Sequence, residues 1–125
     1  MRFEIPIKPK AKARPRSGRN GAIYTPITTV EFEKEVAFWV AQQNPKKLRG
    51  PLKADLMFFY ARPKVCSKAK VLKDSKPDLD NLVKGVLDAL NGICYDDDSQ
   101  IVDLRAAKRY DEDDTIILDI TQMNG

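Results

Sequence analysis

The sequence predicts an α+β fold: a mixed β-sheet with two principal helices packed on one of its faces, built as a single domain from residues 1–125. Three observations carry the expectation. Apolar residues alternate with period two at about 2–7, 51–61, 101–109 and 115–121, with a short run at 22–25. They recur with helical period at about 28–43 and 80–91. No repeat, linker or low-complexity stretch separates these segments, and 125 residues suffice for one core but not two. Strand order is not legible.

Phe3, Ile5 and Ile7 share one face of the opening strand. Residues 8–21 form a basic loop with two prolines and two glycines, too poor in apolar residues to pack. With the strand at 22–25, which is expected to pair with the first, it makes a long hairpin. Thr28 and Glu31 stand in capping-box spacing and open a helix whose inner face is Phe32, Val36, Trp39, Val40 and Gln43. Asn44-Pro45 ends it. Leu52, Ala54, Leu56, Phe58 and Tyr60 make the strongest strand, expected at the centre of the sheet. A second basic loop from Arg62 leads to Pro77, and Leu79, Leu82, Val83, Val86, Leu87 and Leu90 form the apolar stripe of the next helix. That helix carries Asp80, Lys84 and Asp88 on its opposite side and stops at Asn91-Gly92. The last two strands are joined by an acidic turn, 110–114, expected to be merely solvated.

The charge is unevenly spread. The first fifty residues hold eleven Lys and Arg against four Glu, and the remainder holds eleven against fourteen acids. A basic surface for a polyanion and an acidic site behind it suit that pattern, with Lys10, Lys12, Arg14, Arg16 and Arg19 in the first loop and Lys68, Lys70, Lys73 and Lys76 in the second as candidate DNA contacts. There is no histidine. Ser-His-Asp hydrolysis and histidine-metal chemistry are thereby excluded, leaving carboxylates, lysine, a metal or water. Cys66 and Cys94 match no zinc motif and are expected to be thiols. No apolar run approaches the ~18 residues that span a bilayer and no signal-peptide core follows the N-terminus, so a cytoplasmic protein without membrane association is expected.

Two acidic clusters stand out. In Pro77-Asp78-Leu79-Asp80 an extended backbone would project both carboxylates to one side, and Lys84 lies one helical turn beyond Asp80. Asp96, Asp97 and Asp98 are three adjacent like charges, costly to hold together unless solvated or neutralised by a cation. The bland alternative is a capped surface helix with an Asp80–Lys84 pair. An all-oxygen donor set favours Mg²⁺, with Mn²⁺ as the substitute, and no small-molecule cofactor is called for.

Pro77-Asp78-Leu79-Asp80-Asn81-Leu82, Lys84, Asp88-Ala89-Leu90, Gly92, Asp97-Asp98-Ser99-Gln100-Ile101 and Lys108 together resemble the signature of the RusA family of Holliday junction resolvases, small endonucleases encoded mostly by phages and prophages. The resemblance implies a Mg²⁺-dependent homodimer that cuts four-way branched DNA during recombination and repair. It implies metal ligation by Asp78, Asp80 and Asp98, an essential lysine at Lys84, and Asp97 as an auxiliary. Where the pattern has two aspartates this chain has three, and Ser99-Gln100-Ile101 sets the register that leaves Asp96 as the extra one. The alternative is a catalytically inactive DNA-binding module of prophage origin. Such a module has use for the basic loops but none for acids that repel phosphate. An EF-hand is a poorer match, because residues 96–100 lack its glycine and terminal glutamate.

Overall fold

The computed structural model describes residues 1–11, 16–17, 23–24 and 27–123. The elements run β1 (Arg2–Ile5), β2 (Arg16–Ser17), β3 (Ile23–Tyr24), α1 (Ile27–Ala41), β4 (Leu52–Ala61), α2 (Leu79–Ala89), a 3₁₀ turn (Asp98–Gln100), β5 (Ile101–Asp111) and β6 (Thr115–Gln122). The expected α+β class holds. β4 is central as its apolar alternation requires, in a four-stranded sheet of order β1-β6-β4-β5.

β4 and β5 pair in parallel, whereas β6 is antiparallel to both β4 and β1. Parallel neighbours need a long crossover, and residues 62–100 supply it with α2 at its heart. The alternation of β4 sends Leu52, Ala54, Leu56, Phe58 and Tyr60 inward, all buried, against Phe32, Val36 and Val40 of α1 and Leu82, Val83, Val86 and Leu87 of α2. Tyr95 is buried as well, and its hydroxyl donates to the Leu87 carbonyl. Cys94 is a buried thiol, as expected of a small apolar residue, and burial raises its pKa to about 11.

Several sequence expectations shift. The Ile23–Tyr24 strand pairs with Arg16–Ser17 and not with the opening strand, which hydrogen-bonds to β6. The basic loop thus closes on itself. α1 begins at Ile27, so Thr28 lies inside the first turn and not at the N-cap. Gln43 does not pack as an inner-face residue: its amide exchanges two hydrogen bonds with the Glu4 backbone, tying the end of α1 to β1. Asn44 then takes a left-handed φ of 53° and the helix ends, as Asn44-Pro45 predicts.

The acidic turn between β5 and β6 is more than solvated. The chain passes over the end of β4 here, and Ala61 and Arg62 donate their backbone N–H to the Asp114 carboxylate and the Asp111 carbonyl. Among the described residues no helix is long and apolar enough to cross a membrane.

Candidate functional site

Asp78 is the N-cap of α2, with extended backbone (φ −67°, ψ 137°) but no side-chain capping bond. The helix starts at Leu79, so Asp80 is already helical and the strand-like alternation expected of Pro77-Asp78-Leu79-Asp80 stops at Asp78. Residues two apart on a helix do not face one another. The Asp78 carboxylate instead meets the Lys76 ammonium at 3.3 Å.

Asp80, Lys84 and Asp88 follow at four-residue intervals along one stripe of α2. Lys84 pairs with Asp88, at 3.6 Å, rather than with Asp80. Asp80 and Lys84 line an open groove with Leu79, Val83, Leu104 and Ala106, between α2 and the outer edge of the sheet. Asp88 does not fall on a solvated face as the helical count suggests: its side chain is 16% exposed, against 63% for Lys84.

Asp88 lies against Asp98. Asp97 caps the 3₁₀ turn with its carboxylate on the Ser99 N–H, and Gln100 closes a capping box by accepting from the Asp97 N–H. Gln100 also accepts from the Asp96 N–H and donates to the Leu48 and Gly50 carbonyls, which moors the turn to the segment ahead of β4. The Asp98 N–H donates to Asn91 Oδ1 just beyond α2. Thus fixed, the Asp98 carboxyl reaches hydrogen-bonding contact with Asp88. Burial comes first, and then Asp88, in pushing the Asp98 pKa up, with Lys84 pulling the other way.

The three consecutive aspartates have three different employments. Asp96, the extra acid, is held below the usual carboxylate range by Lys47, 2.8 Å away. Asp97 is also held low, by its hydrogen bonds at Ser99. Only Asp98 is left against another acid. Asp88 is the participant that reading the sequence as a helical wheel missed, because the signal lies in the fold-back of Asn91–Asp98 onto the end of α2.

The expected ligands fall into two groups. Asp78 and Asp80 stand at the start of α2, and Asp88 with Asp98 lies two turns on, since eight residues rise about 12 Å, with Lys84 between. Among the described residues no three acidic or thiol side chains converge to hold one ion. The donor chemistry nevertheless fits a hard cation: Mg²⁺ is commonly held by one or two carboxylates together with substrate phosphates. The Asp88–Asp98 pair is a place where a positive charge would relieve a repulsion already present.

Of the candidate DNA contacts, Lys12, Arg14 and Arg19 lie outside the described residues, and Arg16 is described only as backbone in β2. Lys10 meets Lys73 and Lys76 in one cleft beside Pro77, together with Lys8, Tyr60 and Tyr110. The structure thereby joins the two basic loops. Tyr60 donates to the Pro9 carbonyl at 2.9 Å and fixes the first loop there. The Lys73 ammonium sits over the Tyr60 and Tyr110 rings, 4.9 and 5.4 Å from their centroids. Lys70 pairs locally with Asp74 at 2.9 Å, and Lys68 is exposed.

A family model described as Endodeoxyribonuclease RusA matches residues 6–121. The uncharacterized protein YqaN of Bacillus subtilis (strain 168) is 35% identical over 138 aligned positions, covering 99% of this chain and 97% of that protein. A crossover junction endodeoxyribonuclease, rusA, of Lactococcus phage r1t is 45% identical over 74 positions, 58% of this chain and 56% of the phage protein. With a family match across nearly its whole length, the chain belongs to the RusA endodeoxyribonuclease family.

Proposed function

We propose that this protein is a divalent-metal-dependent endonuclease that resolves four-way DNA junctions, acting in the cytoplasm as a homodimer. The observation that carries the reading is the Asp88–Asp98 carboxyl pair beside Lys84 on the stripe that begins at Asp80, because a fold gains nothing in stability from two acids held together. Family membership and the phage relative's named activity support it.

Mg²⁺ or Mn²⁺ would be held at one or both of two places along α2: by Asp98 with Asp88 and Asp97 as an auxiliary, and by Asp78 and Asp80 at the helix start, substrate phosphates completing the coordination. When bound, the cation supplies a more acidic water and neutralises charge developing on the phosphate. Lys84 would hold the scissile phosphate from the same stripe, its charge counting most when the phosphate is most negative. The cleft formed by Lys8, Lys10, Lys73 and Lys76 would carry the neighbouring phosphates of the strand toward Pro77-Asp78. A junction offers two symmetric cleavage points, for which a two-fold dimer is the matching arrangement.

The test is a synthetic four-way junction incubated with purified protein with and without Mg²⁺, beside a linear duplex of the same sequence. Symmetric nicks on the junction alone, dependent on the cation, are the expected result. Tight junction binding with no cleavage in Mg²⁺ or Mn²⁺ would instead identify a DNA-binding module without catalysis. Sedimentation equilibrium tests the dimer.

A further inference from the structure

Lys108 lies on β5 opposite Phe58 of β4, on the strand edge that faces the segment leading into α2. It grips that segment at three places. Its carbonyl accepts from the Lys73 N–H at 3.3 Å, and its ammonium donates to the Ser75 carbonyl at 2.8 Å and the Pro77 carbonyl at 2.7 Å. The second carbonyl belongs to the peptide group that joins Pro77 to Asp78. Whatever moves that group therefore moves the Asp78 backbone.

The other contacts of Asp78 constrain its direction weakly. Its side chain makes no capping bond to α2. Its ion pair with Lys76 is between groups 54% and 88% exposed, and pairs of that kind order little. Its carbonyl accepts from the Leu82 N–H at 3.2 Å, which fixes one end of the residue. Lys108 fixes the other. An ammonium suits this task, being a compact charge whose separate N–H groups can serve two carbonyls at once.

We infer that Lys108 is a positioning residue: by holding the Ser75 and Pro77 carbonyls, its ammonium sets Asp78 in place for divalent-cation uptake without itself touching the DNA. This rests on the metal-nuclease reading above. A lysine that instead contacted phosphate would affect DNA affinity and leave metal affinity alone, so the two roles separate experimentally.

The experiment is Mn²⁺ titration by calorimetry without DNA, using Lys108→Cys in a Cys66→Ser background, since Cys94 is buried. Alkylation with 2-bromoethylamine then restores an ammonium at nearly the original length, the thiolate sulfur forming a C–S bond as bromide leaves. Before alkylation Mn²⁺ affinity should fall about tenfold or more, as loss of a group that orients a ligand commonly causes. The amides of Ser75, Lys76, Asp78 and Leu79 should exchange hydrogen faster, and junction binding in EDTA should stay within twofold of the parent. Aminoethylation should return most of the Mn²⁺ affinity. Unchanged Mn²⁺ affinity in the cysteine protein, or a loss that aminoethylation leaves in place, overturns the inference. Should Lys108→Cys not fold, Lys108→Gln is read by the same titration, and parental affinity there overturns it equally. A parent that binds Mn²⁺ but never cuts a junction removes the nuclease reading and leaves the positioning role to be judged on the titration. A parent that binds no Mn²⁺ removes both.

Discussion

The carboxyl groups of Asp88 on α2 and Asp98 on the turn before β5 are in hydrogen-bonding contact with each other. After burial, that contact is what pushes the Asp98 pKa above the usual carboxylate range, the direction expected of two acids held close together. A cation bound between them would relieve that repulsion.

Asp98→Asn should accordingly stabilise the metal-free protein while impairing metal uptake. The folded-state pKa of Asp98 is raised above its ordinary 3.8, so between those two values the native state holds the extra proton. Stability falls as pH rises through that window and stays reduced above it. Calorimetric melts should therefore show Asp98→Asn melting above the parent at pH 7 without metal, with the gap closing as pH falls through that window towards 3.8. Adding Mg²⁺ should raise the parent's melting temperature and leave the variant's nearly unmoved. A variant that melts lower at neutral pH would contradict the repulsion.

Lys84 separates structural from catalytic weight. Its pair with Asp88 spans 3.6 Å on a largely exposed lysine, so Lys84→Ala should cost at most ~0.5 kcal/mol in urea unfolding. Single-turnover junction cleavage should drop roughly a hundredfold, the usual consequence of removing a charge partner of the transition state. Lys84→Arg should also cleave poorly, since a planar fork does not reproduce a compact ammonium. Near-parental turnover in Lys84→Ala would return this residue to an ordinary helix surface.

The basic cleft can be tested through salt. If Lys10 and Lys73 each neutralise a phosphate, the double variant Lys10→Ala/Lys73→Ala should lower the slope of log affinity against log salt by about 1.4–1.8, at ~0.7–0.9 per contact. Lys70 is already paired with Asp74, and Lys70→Ala should change the slope far less. Gel-shift titrations from low to moderate salt would decide it. Equal slopes for parent and double variant would remove the cleft from the DNA path.

How much of this was legible beforehand depended on whether a signal was local. The period-two pattern of Leu52 to Tyr60 identified the central strand because one whole face of it is buried in the core with α1 and α2. Lys84 and Asp80 could be put on one stripe because helical spacing is fixed. Asp88 could not be given its place, since only the return of the chain after Gly92, whose φ is +81°, brings Asp98 back to it. The assumption of an extended Asp78–Asp80 stretch failed for a related reason. α2 begins one residue after its extended N-cap Asp78, so Asp80 is already helical and the strand alternation does not reach it. The meeting of Lys10 with Lys73 beside Tyr60 and Tyr110 joins positions more than sixty residues apart and leaves no mark on either loop's composition.

Gln100 offers the sharpest contrast with its charged neighbours. Through one amide it joins the Asp96 and Asp97 N–H groups to the Leu48 and Gly50 carbonyls, so it determines where the turn carrying Asp98 sits. Asp96, by comparison, makes an exposed ion pair with Lys47 and aims at nothing else in the site. Gln100→Ala should cost about 1–2 kcal/mol, because water can reach the partners that it abandons and recover part of the loss. It should also raise the Mg²⁺ concentration needed for half-maximal cleavage, since Asp98 would lose its mooring, in the manner of a residue that orients a metal ligand. Asp96→Asn should change stability by no more than ~0.5 kcal/mol and leave the Mg²⁺ requirement within twofold. Replacing a neutral glutamine would thus harm the site more than neutralising an aspartate two residues from Asp98. The reverse order in paired Mg²⁺ titrations would place the metal nearer Asp96 and displace Asp98 from the assignment.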